Sequence, residues 1–130
     1  SALWGLVDQN TRKMVFPERY GVEIEGVVTG EEIALPSAPK RLECTESRAF
    51  TVPYSYVDLN GHMNNTRYFD LAEDCIPAAA EGKQLRRIQT EYVSEARFGE
   101  SFTVSWGEEN GEYFLQGEGE KPFFRMRFKY

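Results

Sequence analysis

Apolar and polar residues alternate with a period of two over most of the second half of this chain, and one stretch breaks that rhythm with helical spacing. From Arg48 onward, Phe50, Val52, Tyr54 and Tyr56 alternate with Thr51, Pro53, Ser55 and Val57, which predicts a strand with one aromatic face. Pro53 removes a backbone donor, so this strand belongs at a sheet edge or carries a bulge. The period then changes: Tyr68, Leu71, Ala72, Cys75 and Ile76 share one helical face, with Glu73 and Asp74 on another. Asn64 or Asn65 is the expected cap of that helix, and Pro77 ends or bends it. Strand patterns return over Leu85 to Val93, Ser101 to Trp106, Tyr113 to Gly117 and Phe123 to Lys129, with Asn110-Gly111 as the sharpest turn signal. Strand, helix, then antiparallel strands predict an α+β fold in which an antiparallel β-sheet wraps around a central α-helix.

The first third reads differently. Ala2 to Val7 is apolar enough for a short strand, and Asp8-Gln9-Asn10 supplies turn chemistry after it. Glu31 to Lys40, with Pro36 and Pro39 among small residues, reads as an extended linker. At 130 residues, with 41% apolar and 28% charged residues, the chain has the material for one compact, soluble domain. Its formal charge of −6 disfavours a sequence-independent grip on nucleic acid. No apolar run approaches the length of a membrane span and no secretory leader is visible, so a cytoplasmic location is expected. Cys44 and Cys75 stand apart, without a CxxC or Cys/His cluster, so neither a metal nor a cofactor is expected and both thiols read as buried or incidental.

The chemistry concentrates in Asp58-Leu-Asn-Gly-His-Met-Asn-Asn65, which joins the aromatic strand to the helix and holds the only histidine, His62. Backbone amides at the start of a helix point outward unpaired and can stabilise an oxyanion, while an imidazole exchanges protons near neutrality. Asp58 or Asn60 is placed to orient His62. The same letters also describe an ordinary turn, in which Asp and Asn bond to local backbone, Gly61 takes a positive φ and the histidine is merely solvated. Residue chemistry alone leaves both readings open.

The longer phrase Tyr56-Val-Asp-Leu-Asn-Gly-His-Met-Asn-Asn-Thr-Arg-Tyr-Phe69 resembles the strand-to-helix passage of hotdog-fold thioesterases. Within that superfamily the Asp-Xaa-Asn-Xaa-His-Xaa-Asn-Asn form is similar to the acyl-acyl carrier protein thioesterases. A second segment, Thr90-Glu-Tyr-Val-Ser-Glu-Ala-Arg97, is similar to that family's Leu-Glu-Tyr-Arg-Arg-Glu-Cys-Gly. A weaker third, through Gln9, Thr11, Arg12 and Lys13, echoes its Asn-Gln-Xaa-Thr-Arg-Arg passage, with Asp8 where the family has Asn. The family carries tandem hotdog domains. The resemblance therefore implies that residues 1–44 are the end of a preceding hotdog domain plus linker and that 45–130 form a hotdog thioesterase domain. It further implies that the chain pairs with a missing N-terminal hotdog domain or forms a homodimer in its place.

The resemblance implies roles residue by residue. Glu95 is the base that polarises a water, His62 shares the proton, Asn60 holds the carbonyl or the water, and Asp58 fixes the geometry. Amides near Asn64 and Asn65 are the implied oxyanion donors. Lys83, Arg86, Arg87 and Arg97 are the candidate landing site for an acidic acyl carrier protein or for the phosphates of coenzyme A, although so small a basic cluster is also ordinary solvated surface. Ala96 stands where the family usually has Cys, so a Cys/His/Asn arrangement lacks its thiol here. Phe50, Tyr54, Phe69, Tyr92, Phe102, Trp106 and Phe124 read as core rather than as tunnel lining. Two rivals remain: an acyl-CoA thioesterase of the same superfamily, and a non-catalytic acyl-binding domain. A hydratase of this superfamily is disfavoured, because its histidine follows Asn by three residues and His62 follows Asn60 by two.

Overall fold

The computed structural model describes residues 2, 5–8, 10–11, 13–21 and 35–130. The chain divides into two compact units, Ser1–Ser37 and Ala38–Tyr130. In the first, β1 (Leu6–Val7) pairs antiparallel with β2 (Met14–Val15). The turn between them is held by the Asp8 carboxylate, which accepts from the Asn10 amide at 3.0 Å and the Thr11 amide at 2.6 Å. Gln9, Arg12 and residues 31–34 of the expected linker lie outside the described residues.

The second unit is a five-stranded antiparallel sheet in the order β3-β5-β6-β7-β4. Its strands are β3 (Glu46–Thr51), β4 (Arg87–Tyr92), β5 (Ser101–Glu109), β6 (Glu112–Glu118) and β7 (Pro122–Lys129). Between β3 and β4 lie α1 (Arg67–Glu73) and the single turn α2 (Pro77–Ala80). The face of α1 and the residues after it that the spacing marked as apolar is the buried one: Tyr68, Leu71, Ala72, Cys75 and Ile76 pack with Phe102, Val104, Leu115, Phe124 and Met126 of the sheet. Alternation explains the sheet side, since Phe102 and Val104 point to the helix while Ser101 and Thr103 face away. This is the sheet-around-helix arrangement of the hotdog fold. No described helix is long and apolar enough to cross a membrane.

Local chemistry sets the boundaries. Asn110 (φ 54) and Gly111 (φ 78) both adopt positive φ between paired Glu109 and Glu112, the geometry of a two-residue type I′ hairpin. β3 is an edge strand, as Pro53 required, but it stops at Thr51. Proline cannot donate to a ladder, and the chain instead turns through the 3-10 segment Tyr54–Tyr56, with the Tyr56 amide donating to the Pro53 carbonyl at 3.0 Å. Tyr54 is therefore 78% exposed rather than part of the core. The helix also begins later than expected, at Arg67, because Asn64 caps a preceding turn: its Oδ1 accepts from the Thr66 amide at 2.9 Å and the Thr66 hydroxyl at 2.7 Å. The first helix ends at Glu73 with Asp74 as its cap, ahead of Pro77, which opens the second.

Two glycines mark close approaches. β6 and β7 shift register at Gly117/Glu118, which lets the consecutive Phe123 and Phe124 both be buried. A Cβ at Gly117 would lie 2.3 Å from the Phe124 ring, so the aromatic core occupies that space. On the opposite sheet face, residues 39–45 run as a strap. The Thr45 amide donates to Trp106 (2.9 Å), Arg127 donates to the Lys40 carbonyl (3.4 Å), and Arg41 pairs with Glu118 (3.4 Å). A Cβ at Gly107 would meet the Glu43 carbonyl oxygen at 1.9 Å, so the strap seats on bare backbone there.

Candidate active site

The loop after the Tyr54–Tyr56 turn is a small hairpin. Val57 and Met63 face each other across it, the Asp58 amide donates to the His62 carbonyl (3.0 Å), and the Asn64 amide donates to the Tyr56 carbonyl (2.8 Å). At its tip the Gly61 amide donates to the Asp58 carbonyl (3.0 Å), with Gly61 at φ 78, and the Asp58 carboxylate accepts from the Asn60 amide at 2.8 Å. These are the ordinary turn bonds that the sequence allowed. They do not exhaust the loop, because His62 points away from the tip and finds a partner.

That partner is Glu95. The imidazole Nε2 lies 2.9 Å from Glu95 Oε2, with the His62 side chain 19% exposed and the Glu95 side chain 45%. Backbone pairing brings them together: His62 forms an isolated antiparallel bridge with Arg97, and the Met63 amide donates to the Ala96 carbonyl at 2.7 Å. β4 ends at Tyr92, the Val93 and Ser94 amides both turn to the Phe123 carbonyl (2.8 and 3.1 Å), and Glu95, just beyond them, reaches the histidine. Arg97 stands beside the pair, its guanidinium 3.8 Å from Glu95 Oε2.

A cleft of about 390 Å³ opens over this pair, and Asp58, Asn60, His62, Asn64, Asn65 and Glu95 all line it. Tyr68, Tyr92, Val93 and Ser94 complete the wall. Sequence pattern groups Tyr68 with the helix face and Tyr92 with the core, since period alone cannot separate a buried ring from a cleft-lining one. Tyr92 is 42% exposed, and its hydroxyl donates to the Asn65 carbonyl at 3.1 Å. Burial pushes the Tyr68 hydroxyl up to about 12 and raises that of Tyr92, so both remain protonated donors at neutral pH.

The expected oxyanion donors divide. The Asn64 amide is taken by Tyr56, and the Thr66 and Arg67 amides by Asn64 itself, whereas the Asn65 amide has no partner among the described residues. The helix begins at Arg67, two or one residues later than an Asn64 or Asn65 cap would start it, and the turn takes up the Thr66 and Arg67 amides. Lys83, Arg86 and Arg87 do not line the cleft. They sit at or before the opposite end of β4 from Tyr92, about 17 Å away at strand rise, and Lys83 pairs with Glu81 at 2.8 Å. Of the four basic candidates only Arg97 stands at the site.

No thiol reaches the cleft. Ala96 is fully buried and not among the lining residues, Cys75 is buried, and burial raises the thiols of both Cys44 and Cys75. Among the described residues no three His, Cys, Asp or Glu side chains group as metal ligands would. What the arrangement can do is hold a carboxylate and an imidazole against a small polar guest, with one backbone amide and two tyrosine hydroxyls nearby.

Comparison with known proteins gives this geometry its relatives. Residues 39–120 match the family profile of the acyl-ACP thioesterase C-terminal domain. Among solved structures, an acyl-ACP thioesterase from Bacteroides thetaiotaomicron superposes with a TM-score of 0.65 at 23% identity, covering 95% of this chain and 52% of that one. The 12:0-ACP thioesterase from Umbellularia californica gives 0.67 at 18% identity, with the same coverages of 95% and 52%. A Staphylococcus aureus protein solved in complex with CoA gives 0.54 at 20% identity, covering 63% of this chain and 71% of that one. A search of curated proteins found no match. The chain thus spans about half the length of the acyl-ACP thioesterase structures it resembles, and at these identities the likeness is one of fold.

Proposed function

We propose that this chain, which belongs to the acyl-ACP thioesterase family, hydrolyses a fatty acyl thioester through the Glu95–His62 pair. The observation that carries the reading is the 2.9 Å contact between Glu95 Oε2 and His62 Nε2 at the wall of an open cleft. Glu95 takes a proton from water as the water oxygen attacks the thioester carbonyl. The carbonyl oxygen becomes an oxyanion, for which the Asn65 amide and the Asn60 side chain are the available donors. Collapse of the tetrahedral intermediate breaks the C–S bond, and the proton, shared between Glu95 and His62, passes to the departing sulfur. The products are a free fatty acid and a thiol. Asp58 acts through its turn, holding Asn60 by the bond to its amide.

The carrier in this reading is acyl carrier protein. The chain is acidic overall, at −6, so an acidic carrier docks only where cations gather, and Arg97, 68% exposed beside the cleft, is the cation best placed to receive it. Residues 1–44 are read, on the sequence resemblance, as the end of a preceding hotdog domain plus linker, and 45–130 as the thioesterase domain. The edge strand β4 leaves Ile88 and Tyr92, with the adjoining Val93, about two-fifths exposed. Such an edge is covered by a companion hotdog domain or by a second copy of this chain.

Matched acyl-carrier-protein and acyl-CoA substrates test the reading through release of free thiol and fatty acid. Equal amounts of both products, formed faster from the carrier protein, support it. Faster turnover of acyl-CoA makes the chain an acyl-CoA thioesterase, and no release from either refutes hydrolysis in favour of an acyl-binding domain.

A further inference from the structure

Glu95 follows the end of β4 at Tyr92, and the contacts that fix its backbone bear on how its carboxylate reaches His62. The flanks are fixed: Val93 and Ser94 donate to the Phe123 carbonyl, and the Ala96 carbonyl accepts from Met63. The Glu95 peptide between them is gripped from outside, by a side chain of the turn joining β6 to β7. Lys121 Nζ donates to the Glu95 carbonyl oxygen at 3.2 Å. The same ammonium lies 3.4 Å from Glu100 Oε1 and 5.0 Å from the centre of the Phe123 ring. Glu100 closes the bracket, because its Oε2 accepts from the Arg97 amide at 2.8 Å. One cation therefore ties together both ends of the loop that presents Glu95 and Arg97 to His62.

We propose that Lys121 is a positioning residue for the Glu95–His62 pair, holding the Glu95 backbone through its carbonyl and, with Glu100, setting the reach of the Glu95 carboxylate to the imidazole. The proposal rests on the thioesterase reading for its catalytic consequence and on geometry for its structural one. Three contacts of different kinds, a hydrogen bond to a carbonyl, an ion pair and an aromatic face, converge on one flexible side chain. That convergence confines it, because each contact alone would leave the four-carbon stem free to rotate. Sequence pattern gives no sign of this role, since Glu-Gly-Glu-Lys reads as a charged hairpin turn.

The test replaces Lys121 with Met, which keeps the stem and removes the charge, and with Arg, which keeps a donor. K121M is expected to lower kcat at least tenfold with KM within twofold and melting temperature within a few degrees, and K121R to recover kcat to within about threefold of wild type. Because His62 is the only histidine, its imidazole NMR signals report the pair without any turnover. In K121M they are expected to move at least halfway toward their positions in Glu95→Gln. K121M with unchanged kcat, or with imidazole signals at their wild-type positions, overturns the proposal. If the wild-type chain hydrolyses no acyl thioester, the functional reading fails by itself, and the imidazole signals still decide whether Lys121 positions Glu95.

Discussion

Replacing Gly107 with alanine would drive a methyl group into the strap that crosses the outer sheet face. The added Cβ would stand 1.9 Å from the Glu43 carbonyl oxygen and 3.2 Å from Cys44 Cα, both backbone atoms that cannot rotate away. Comfortable contact between heavy atoms is about 3.5 Å, so the strap must lift by about 1.5 Å. Overpacking of this kind costs about 1–3 kcal/mol. Lifting also stretches the bond from the Thr45 amide to Trp106, 2.9 Å in the native structure, which is worth about 0.5–1.5 kcal/mol. Alanine returns about 0.5–1 kcal/mol of strand propensity, leaving a net loss of about 0.5–4 kcal/mol, with a midpoint near ~2 kcal/mol. In a domain of this size each kcal/mol moves the melting temperature by about 4–8 °C, so a midpoint loss of about 2 kcal/mol is expected to lower it by about 8–16 °C in a thermal melt followed by circular dichroism. A melting temperature within about 2 °C of wild type would refute the reasoning, since it would mean that residues 39–45 do not seat on β5.

Further outcomes follow from the site and the sheet. Tyr92→Phe removes the hydroxyl that holds the Asn65 carbonyl. A lost hydrogen bond of about 0.5–1.5 kcal/mol should lower kcat by about two- to tenfold in a steady-state thiol-release assay, with the melting temperature nearly unchanged. On the outer face, Arg127 and then Lys129 hold the Glu112 carboxyl below its usual range. A depressed folded-state value means that the unfolded chain binds the proton more readily, so this stabilisation is present above the ordinary glutamate range and is lost as pH falls through the folded value. Glu112→Gln should therefore shift the urea midpoint downward at pH 7, and the gap from wild type should close as the solution is acidified.

Periodicity made the architecture legible because burial enforces it: each apolar residue assigned to the helix face is buried, and the four later strands lie where alternation put them. The Asn110-Gly111 hairpin was equally plain, since few sequences tolerate two consecutive positive φ values. The aromatic run through Tyr56 misled because alternation continues across Pro53 while hydrogen bonding cannot. At the site, residue chemistry singles out His62 as a candidate but Glu95 is named only through resemblance; thirty-three residues apart, they are joined by a backbone bridge that no local pattern encodes. Asn64 shows the opposite failure. One of two candidate helix caps with Asn65, it instead caps the preceding turn, where its side chain and carbonyl take the Thr66 and Arg67 amides and leave that of Asn65. Tyr92 and Lys121 were invisible as site residues, because a strand tyrosine and a turn lysine carry no signal until the fold places them.

The most direct test is the initial rate of thiol release from an acyl thioester by the wild-type chain and by Glu95→Gln, which keeps the shape of the side chain and removes its basicity. The account predicts turnover by the wild type and a loss of about 100-fold or more in the variant, in the range of a missing general base, with melting temperature preserved. Undiminished turnover by Glu95→Gln would show that the carboxylate 2.9 Å from His62 is not the base, and would contradict the account at its centre.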